Sequence, residues 1–201
     1  EYARQNKSFG LTTMKDHHVK VRGKKLRFRF RGKGGKEHEV DFMDRRVAKI
    51  VRKLQDLPGQ DLFQYFDDDG KLCNVTSQDV NDYLREIAGE DFTAKDFRTW
   101  AGTVLTAMAL NAQEKFATKK EAKSNVKNAI AAAAKLLRNT PTICRKCYVH
   151  PAILETYLKG DLIEGLQTKL NEAEEIPDFS DDERAVLNFL RRQTRQKNNG
   201  S

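Results

Sequence analysis

Four polar residues spread along the chain have the side-chain chemistry needed to cut a phosphodiester bond without a metal ion. Such a reaction requires a nucleophile, an acid for the leaving oxygen, and cations or hydrogen-bond donors that stabilise the developing charge. Tyr148 could be the nucleophile, and Lys33, Arg98 and Asn139 could supply the other groups. A tyrosine near basic residues is more often an ordinary surface or core residue, so the residue types alone leave both interpretations open.

The positive charge of the chain is concentrated near its N-terminus. The 201 residues include 37 Lys and Arg against 29 Asp and Glu, a formal net charge of +8. Residues 1–40 contain 12 basic and 4 acidic residues and so account for the whole excess. Concentrated positive charge attracts a polyanion, and nucleic acid is the commonest one inside a cell. A solvated basic face explains the same composition equally well.

The basic segment has the alternating pattern of a β-strand. Over residues 25–31, Leu26, Phe28 and Phe30 alternate with arginines, which gives the strand one apolar and one cationic face. Extended patterns lie on both sides of it, so we predict a three-stranded antiparallel meander over residues 17–41. The second turn, residues 32–35, contains three glycines that allow positive φ, and Lys33 would project from its tip.

The rest of the chain predicts helices. Beyond residue 44, apolar residues recur every three or four positions, and residues that favour N-caps precede several of these runs. The predicted helices include one over residues 77–88 that buries Tyr83 and Ile87, and one beginning at Thr93 that directs Phe97 inward. We therefore predict an α+β fold, mostly α, with one domain over residues 1–193: a small sheet at 17–41, helices over 44–193, and a frayed polar tail at 194–201.

The remaining motifs predict no second chemistry. Cys144, Cys147 and His150 have the spacing of half a zinc site, but no second pair lies where it could complete four ligands. Three cysteines do not make a disulfide framework. The longest uncharged run, residues 99–113, is shorter than the roughly 18 apolar residues that a membrane span requires. We expect no metal site, no membrane association and a cytoplasmic location.

Three separated blocks resemble the catalytic domain of type IB DNA topoisomerases of the bacterial and poxvirus kind. The first block comprises residues 8–14, 18–19, 29–33 and 38–39, the second residues 95–102, and the third residues 139–141 and 148–151. The blocks match the family in order and spacing, and the resemblance covers nearly all of residues 1–193. Three blocks in register are far more specific than any single motif.

The resemblance implies a reaction and a role for each of the four residues. In this family a tyrosine becomes joined to the 3′ end of a cut DNA strand, rotation releases supercoils, and the free 5′ hydroxyl reverses the step without metal or ATP. By resemblance, Tyr148 is the nucleophile, Lys33 is the general acid, and Arg98 holds a non-bridging phosphate oxygen. Asn139 stands where poxvirus and eukaryotic members have His, and it can donate a hydrogen bond but cannot act as an acid or base.

The resemblance also implies double-stranded DNA as the partner, with no small-molecule cofactor. It places Tyr2 against the DNA backbone. From the polar face of the predicted sheet we expect further phosphate contacts, which set affinity and its salt dependence rather than sequence choice; these residues are Arg27, Arg29, Arg31 and Lys36. We expect a monomer that acts on the nucleoid of a bacterial cell.

Two departures from the family pattern lead to further expectations. The family's other catalytic arginine, in an Arg-x-Gly context, would precede Glu1, and the small N-terminal DNA-clamping domain is absent from this sequence. We therefore expect an isolated catalytic domain whose cleavage is impaired, because one cation for the transition state is missing. Gly34 stands where viral and eukaryotic members often have Asp, which affects how Lys33 is oriented.

Two other interpretations stay open on the sequence. A tyrosine recombinase shares the fold and the Arg, Lys and Tyr chemistry, but its arginine block usually has His three residues before the arginine, where this chain has Lys95. A non-catalytic DNA-binding module, in which Tyr148 and Lys33 are inert, is the third interpretation.

Overall fold

A computed structural model of the chain describes residues 8–113, 115–167 and 179–198. It divides into two compact units, Glu1–Phe92 and Thr93–Ser201, and each unit has its own hydrophobic core. A three-stranded antiparallel sheet comes first and helices follow, which confirms the predicted α+β, mostly α fold. In the described part of the chain, no helix combines the length and the apolar character needed to span a membrane.

The first unit is built on the predicted meander. Its strands are β1 (Val19–Arg22), β2 (Lys25–Arg31) and β3 (Glu37–Met43), paired in the order β1-β2-β3. Helix α1 (Arg45–Gln55) packs against β1 and β2. It begins where the Asp44 carboxylate accepts hydrogen bonds from the backbone N–H groups of Arg46 and Val47, a typical N-cap. The alternation of β2 places Leu26, which is fully buried, on the face that α1 covers.

Two features of the first unit differ from the prediction. Residues after 44 were expected to be helical, but β4 (Gln64–Phe66) and β5 (Leu72–Asn74) form an antiparallel hairpin before helix α2 (Ser77–Ala88). On α2, Tyr83 and Ile87 are each 60% exposed rather than buried. An amphipathic pattern predicts a helix, but it does not say how much of the apolar side another element will cover.

The second unit consists of helices in its described part. They are α3 (Ala94–Asn111), α4 (Lys119–Leu136), α5 (Pro141–Cys147), α6 (Pro151–Lys159), α7 (Leu162–Gln167) and α8 (Asp181–Asn198). The alanine-rich α4 packs along α3, with Ala129, Ala133 and Ala134 buried in the core. Small side chains allow the two helices to approach closely. Phe97 is largely exposed rather than directed inward, and α8 extends into the tail predicted at 194–201.

Replacing Leu26 with alanine is expected to lower the free energy of unfolding by about 3 kcal/mol, because removing a fully buried leucine side chain also leaves a cavity. The matched control is Ile50→Ala on α1, where the side chain is 56% exposed; a change below about 0.5 kcal/mol is expected there. Urea unfolding followed by circular dichroism measures both variants. Equal losses would contradict the packing described.

Candidate active site

Lys33 lies on an exposed turn between β2 and β3 whose backbone is well fixed. The turn closes through hydrogen bonds from the Gly32 N–H to the Lys36 carbonyl (2.8 Å) and from the Gly35 N–H to the Gly32 carbonyl (3.0 Å). Gly34 has φ of 73°, a conformation that L-residues with side chains rarely adopt. The positive φ predicted for this turn is therefore confirmed. An aspartate at position 34 would be strained in this turn.

Two side chains of the adjoining strands pack on this turn. The ring of His38 stacks on that of Phe30 with 5.0 Å between centroids, and a Cβ built on Gly32 would lie 2.7 Å from His38 Cδ2. The Nε of Arg31 donates a hydrogen bond to the Gly35 carbonyl (3.3 Å). The lysine itself is exposed, so the protein fixes the base of its side chain and leaves the ammonium group open to solvent.

The polar face of the sheet carries acidic residues as well as the predicted arginines. The register sets Arg27 opposite Asp41, Arg29 opposite Glu39, and Arg31 opposite Glu37. With Lys20, Arg22 and Lys25 on the same face, six basic and three acidic side chains leave a net charge of +3. The face is concave, with an open groove of about 870 Å³ above it.

These ion pairs engage the arginines unequally. Arg27 donates two hydrogen bonds to the carboxylate of Asp41, at 2.7 and 2.9 Å, and its side chain is 46% exposed. Arg29 approaches Glu39 at 3.3 Å through Nε and is 76% exposed. The hydrogen bond from Arg27, together with one from Lys25, holds the pKa of Asp41 well below its usual range. Arg29 is thus the more available of the two for a further partner.

In the second unit, the structure brings Arg98 and Tyr148 together. Arg98 lies on the first turns of α3, after the N-cap Thr93, and its Cζ atom is 5.6 Å from the centroid of the Tyr148 ring. Arg98 is exposed and Tyr148 is half-buried. A guanidinium in this position is attracted to the π face of the ring. Because Arg98 is exposed, its N–H groups are accessible to a ligand.

Tyr148 is the first residue after the short helix α5. Thr140 caps this helix, its hydroxyl accepting from the Ile143 N–H (3.3 Å), and Pro141 occupies the first turn. The Tyr148 N–H donates to the Cys144 carbonyl (2.9 Å), and burial raises the pKa of the Cys144 thiol. Tyr148 therefore follows a short helix that is capped at its start by Thr140 and packed into the core through Cys144.

Asn139 lies in the connection between α4 and α5, directly before that cap. Its N–H donates to the Ala134 carbonyl (2.8 Å), and it follows Arg138, which has a left-handed φ of 54°. Asn139 is half-buried. Asn139, Arg98 and Tyr148 belong to the second unit, whereas Lys33 belongs to the first. Tyr2 lies outside the described residues. Within the described ranges, no three His, Cys, Asp or Glu side chains are grouped so that they could hold a metal ion.

Comparison with known protein families gives a match over most of the chain. A family model described as the catalytic core of eukaryotic DNA topoisomerase I matches residues 1–176. The chain belongs to the DNA topoisomerase I family. The DNA topoisomerase 1B of Acanthamoeba polyphaga mimivirus is 34% identical to it over 163 residues, which are 78% of this chain and 48% of the viral protein. The chain thus spans about half the length of this topoisomerase relative, which is viral rather than bacterial.

Two features of this candidate site are not part of the sequence prediction. The acids of β3 alternate as Glu37, Glu39 and Asp41, and an antiparallel register places them across from the arginines, so the pairing could have been predicted from the pattern. Gly102, in the middle of α3, lies directly against Tyr148. A glycine inside a strong helix was a signal of close approach, but the sequence does not identify the segment that approaches.

The carboxyl of Asp41 is expected to titrate below its ordinary pKa of 3.8, and Arg27→Met is expected to raise that pKa because it removes the principal hydrogen bond. Carboxyl ¹³C NMR measures the titration. The control is Arg29→Met, since Arg29 pairs with Glu39 instead. An Asp41 pKa that does not move in Arg27→Met would contradict the assignment.

The same ion pair gives a pH dependence of stability with a definite sign. The folded-state pKa of Asp41 lies below the unfolded-state value, so the stabilisation is fully present above about pH 4 and is lost as the pH falls through the folded pKa.

Proposed function

We propose that this chain is the catalytic domain of a type IB DNA topoisomerase, which relaxes supercoils by transient cleavage of one strand through a 3′-phosphotyrosine. The observation that supports it most directly is the placement of Arg98 over Tyr148 in a chain of the topoisomerase I family. The name of the mimiviral relative, DNA topoisomerase 1B, points to the same activity. Double-stranded DNA would be the substrate, and the protein would bind it as a monomer. In a bacterial cell the enzyme would act on the nucleoid.

Tyr148 and Arg98 would carry out the attack. The Tyr148 Oη forms a bond to the phosphorus, the bond from phosphorus to the 5′ oxygen breaks, and the phenol proton passes to water. A neutral phenol is a weak nucleophile, so the attack depends on positive charge that stabilises phenolate character. The Arg98 guanidinium lies over the ring, and it has enough N–H groups to bind a phosphate oxygen at the same time.

Lys33 and Asn139 would complete the reaction. As the 5′ oxygen leaves, the Lys33 ammonium donates a proton to it, and the resulting 5′ hydroxyl can later attack the phosphotyrosine to restore the strand. An exposed lysine on a fixed turn suits this role, because its side chain can reach into bound DNA. Asn139, half-buried beside the cap of α5, would donate a hydrogen bond from its amide to a phosphate oxygen.

The concave, net-positive face of the sheet would bind the DNA backbone. Arg29 and Lys36 are exposed and are the better candidates for phosphate contacts. Arg27 is held by Asp41 and Arg31 by the Gly35 carbonyl, so each would have to share or leave its partner. The proposed contact of Tyr2 with the DNA backbone rests on the resemblance.

The chain is expected to form a covalent adduct with a suicide duplex that carries a label on the strand 5′ to the cut, in buffer containing EDTA. Tyr148→Phe is expected to abolish the adduct, because the nucleophilic oxygen is gone. Lys33→Ala and Arg98→Ala are expected to slow its formation by at least about 100-fold, as is typical for loss of a proton donor or a charge-stabilising group. Denaturing gel electrophoresis over a long single-turnover time course measures the rates.

The controls are substitutions of the same type at exposed positions. Tyr83→Phe removes another exposed phenol oxygen, and Lys24→Ala removes a lysine from the other turn of the sheet; both are expected to form adduct at the normal rate. Relaxation of supercoiled plasmid supports the topoisomerase, whereas strand exchange between paired specific sites would indicate a recombinase. DNA binding without any adduct, both in this chain and after the upstream arginine segment is added back, would support the non-catalytic module; an adduct that appears only after the addition would mean that the chain lacks one catalytic cation.

The two central arginines of β2 are expected to differ in their contribution to DNA binding. Arg29→Ala is expected to weaken binding. It is also expected to make the plot of log association constant against log salt concentration less steep by roughly 0.9, the value for one lost phosphate contact. Arg27→Ala is expected to change the slope less, because Asp41 already holds that guanidinium. Fluorescence anisotropy with a duplex at several salt concentrations measures both. Equal slopes for the two variants would contradict this distinction.

A further inference from the structure

Helix α3 approaches the backbone of Tyr148 at a position where a side chain would not fit. Gly102 lies one turn after Arg98 on this helix and is buried. A Cβ built on Gly102 would clash with the carbonyl oxygen of Tyr148 and would lie 2.9 Å from Tyr148 Cβ and 3.1 Å from Leu137 Cδ1. Glycine is unfavourable inside a helix, and this close approach gives a physical reason for its presence.

Two threonines of α3 bind the backbone on either side of Tyr148. The Thr99 hydroxyl lies within hydrogen-bond distance of two carbonyls, that of Lys95 (3.1 Å) and that of Cys147 (3.3 Å), and its single proton is shared between them. The Thr103 hydroxyl donates to the Thr99 carbonyl (2.8 Å) and accepts from the His150 N–H (3.0 Å). Thr103 is buried, so an unpaired N–H at His150 would be costly. The segment 147–150 is therefore attached to α3 before and after the tyrosine.

We propose that Gly102 and Thr103 are positioning residues that hold Tyr148 for attack and set its ring beneath Arg98. The inference rests on the proposed function for its consequence in catalysis. Arg98 and Gly102 lie on one stripe of α3, and Thr99 and Thr103 lie on the stripe beside it, since residues four apart project in similar directions. One rigid helix therefore carries the phosphate-binding cation and also holds the backbone of the nucleophile. A side chain at position 102 would displace the Tyr148 segment relative to Arg98, although neither Arg98 nor Tyr148 is itself replaced.

The first test compares the chemical step with DNA binding. Gly102→Ala is expected to slow single-turnover adduct formation by about 100-fold or more, because a displacement of about 1 Å of a reacting group has an effect of this size. The dissociation constant for the duplex is expected to stay within about 3-fold, since Gly102 is buried. Thr103→Val is expected to slow the step in the same way, and Thr103→Ser, which keeps the hydroxyl, is expected to restore it.

The control for crowding alone is Gly165→Ala in α7. A Cβ there would meet the Phe189 ring at 3.0 Å, so it disturbs packing in the same unit without meeting Tyr148. Its adduct rate is expected to stay within about 3-fold of the starting protein. Slowing by Gly165→Ala equal to that by Gly102→Ala would overturn the proposal, because general loss of packing would then explain both.

A second readout separates this proposal from the proposed function. The chain is labelled with 3-fluorotyrosine, and the ¹⁹F resonance of Tyr148 is assigned by its absence in Tyr148→Phe. A shifted or broadened Tyr148 resonance in Gly102→Ala and Thr103→Val, restored in Thr103→Ser, supports the positioning role. This readout does not require adduct formation, so it still tests the positioning role if the starting protein forms no adduct. An unchanged Tyr148 resonance in both Gly102→Ala and Thr103→Val overturns the proposal.

Discussion

The tyrosine segment can lie against helix α3 only because position 102 has no side chain. That contact brings the Tyr148 carbonyl to the helix surface, and the hydroxyls of Thr99 and Thr103 then satisfy backbone groups that a segment leaving a helix end would otherwise bury unpaired. Arg98 is one turn away on the same helix. The placement of Tyr148 beside Arg98 therefore follows from one close approach between two backbones.

Other helices of the second unit hold α3 in place. On another side of α3, the Trp100 Nε1–H donates to Glu183 (3.1 Å), a residue of α8 that also closes the N-terminal cap at Ser180. The small residues of α4 pack along α3. A helix that is buried on several sides moves little. The Arg98 side chain and the Tyr148 backbone that contacts α3 therefore keep a fixed separation. The turn of Lys33, by contrast, is fixed by its own backbone hydrogen bonds and leaves the ammonium group exposed.

Much of the fold was predictable from short-range patterns, and the failures have a common cause. The alternation over residues 25–31 predicts the central strand, and the apolar spacing beyond residue 44 predicts helices, because both patterns depend on neighbouring residues. The exposure of Tyr83, Ile87 and Phe97 depends on which element covers a helix, which periodicity cannot reveal. The hairpin of β4 and β5 has strands of three residues each, too short for a clear alternation.

For the candidate site, the sequence likewise predicts some residues and not others. Lys33, Arg98, Asn139 and Tyr148 were found by residue type and by resemblance, and their catalytic roles stay predictions. The residues that position them were not found, because the contact of Gly102 with Tyr148 joins positions 46 residues apart in sequence. The pattern of β2 alone overstates the positive charge of the sheet face, because the acids that face its arginines lie on the neighbouring strand.

The most direct test of the account is to identify the residue that becomes joined to DNA. The adduct formed with a suicide duplex is digested with nuclease and trypsin, and the peptide of residues 147–159 is sequenced by tandem mass spectrometry. This peptide contains both Tyr148 and Tyr157, so its fragments decide between them. We expect a 3′-linked nucleotide on Tyr148. A nucleotide on Tyr157 or on any other residue would contradict it.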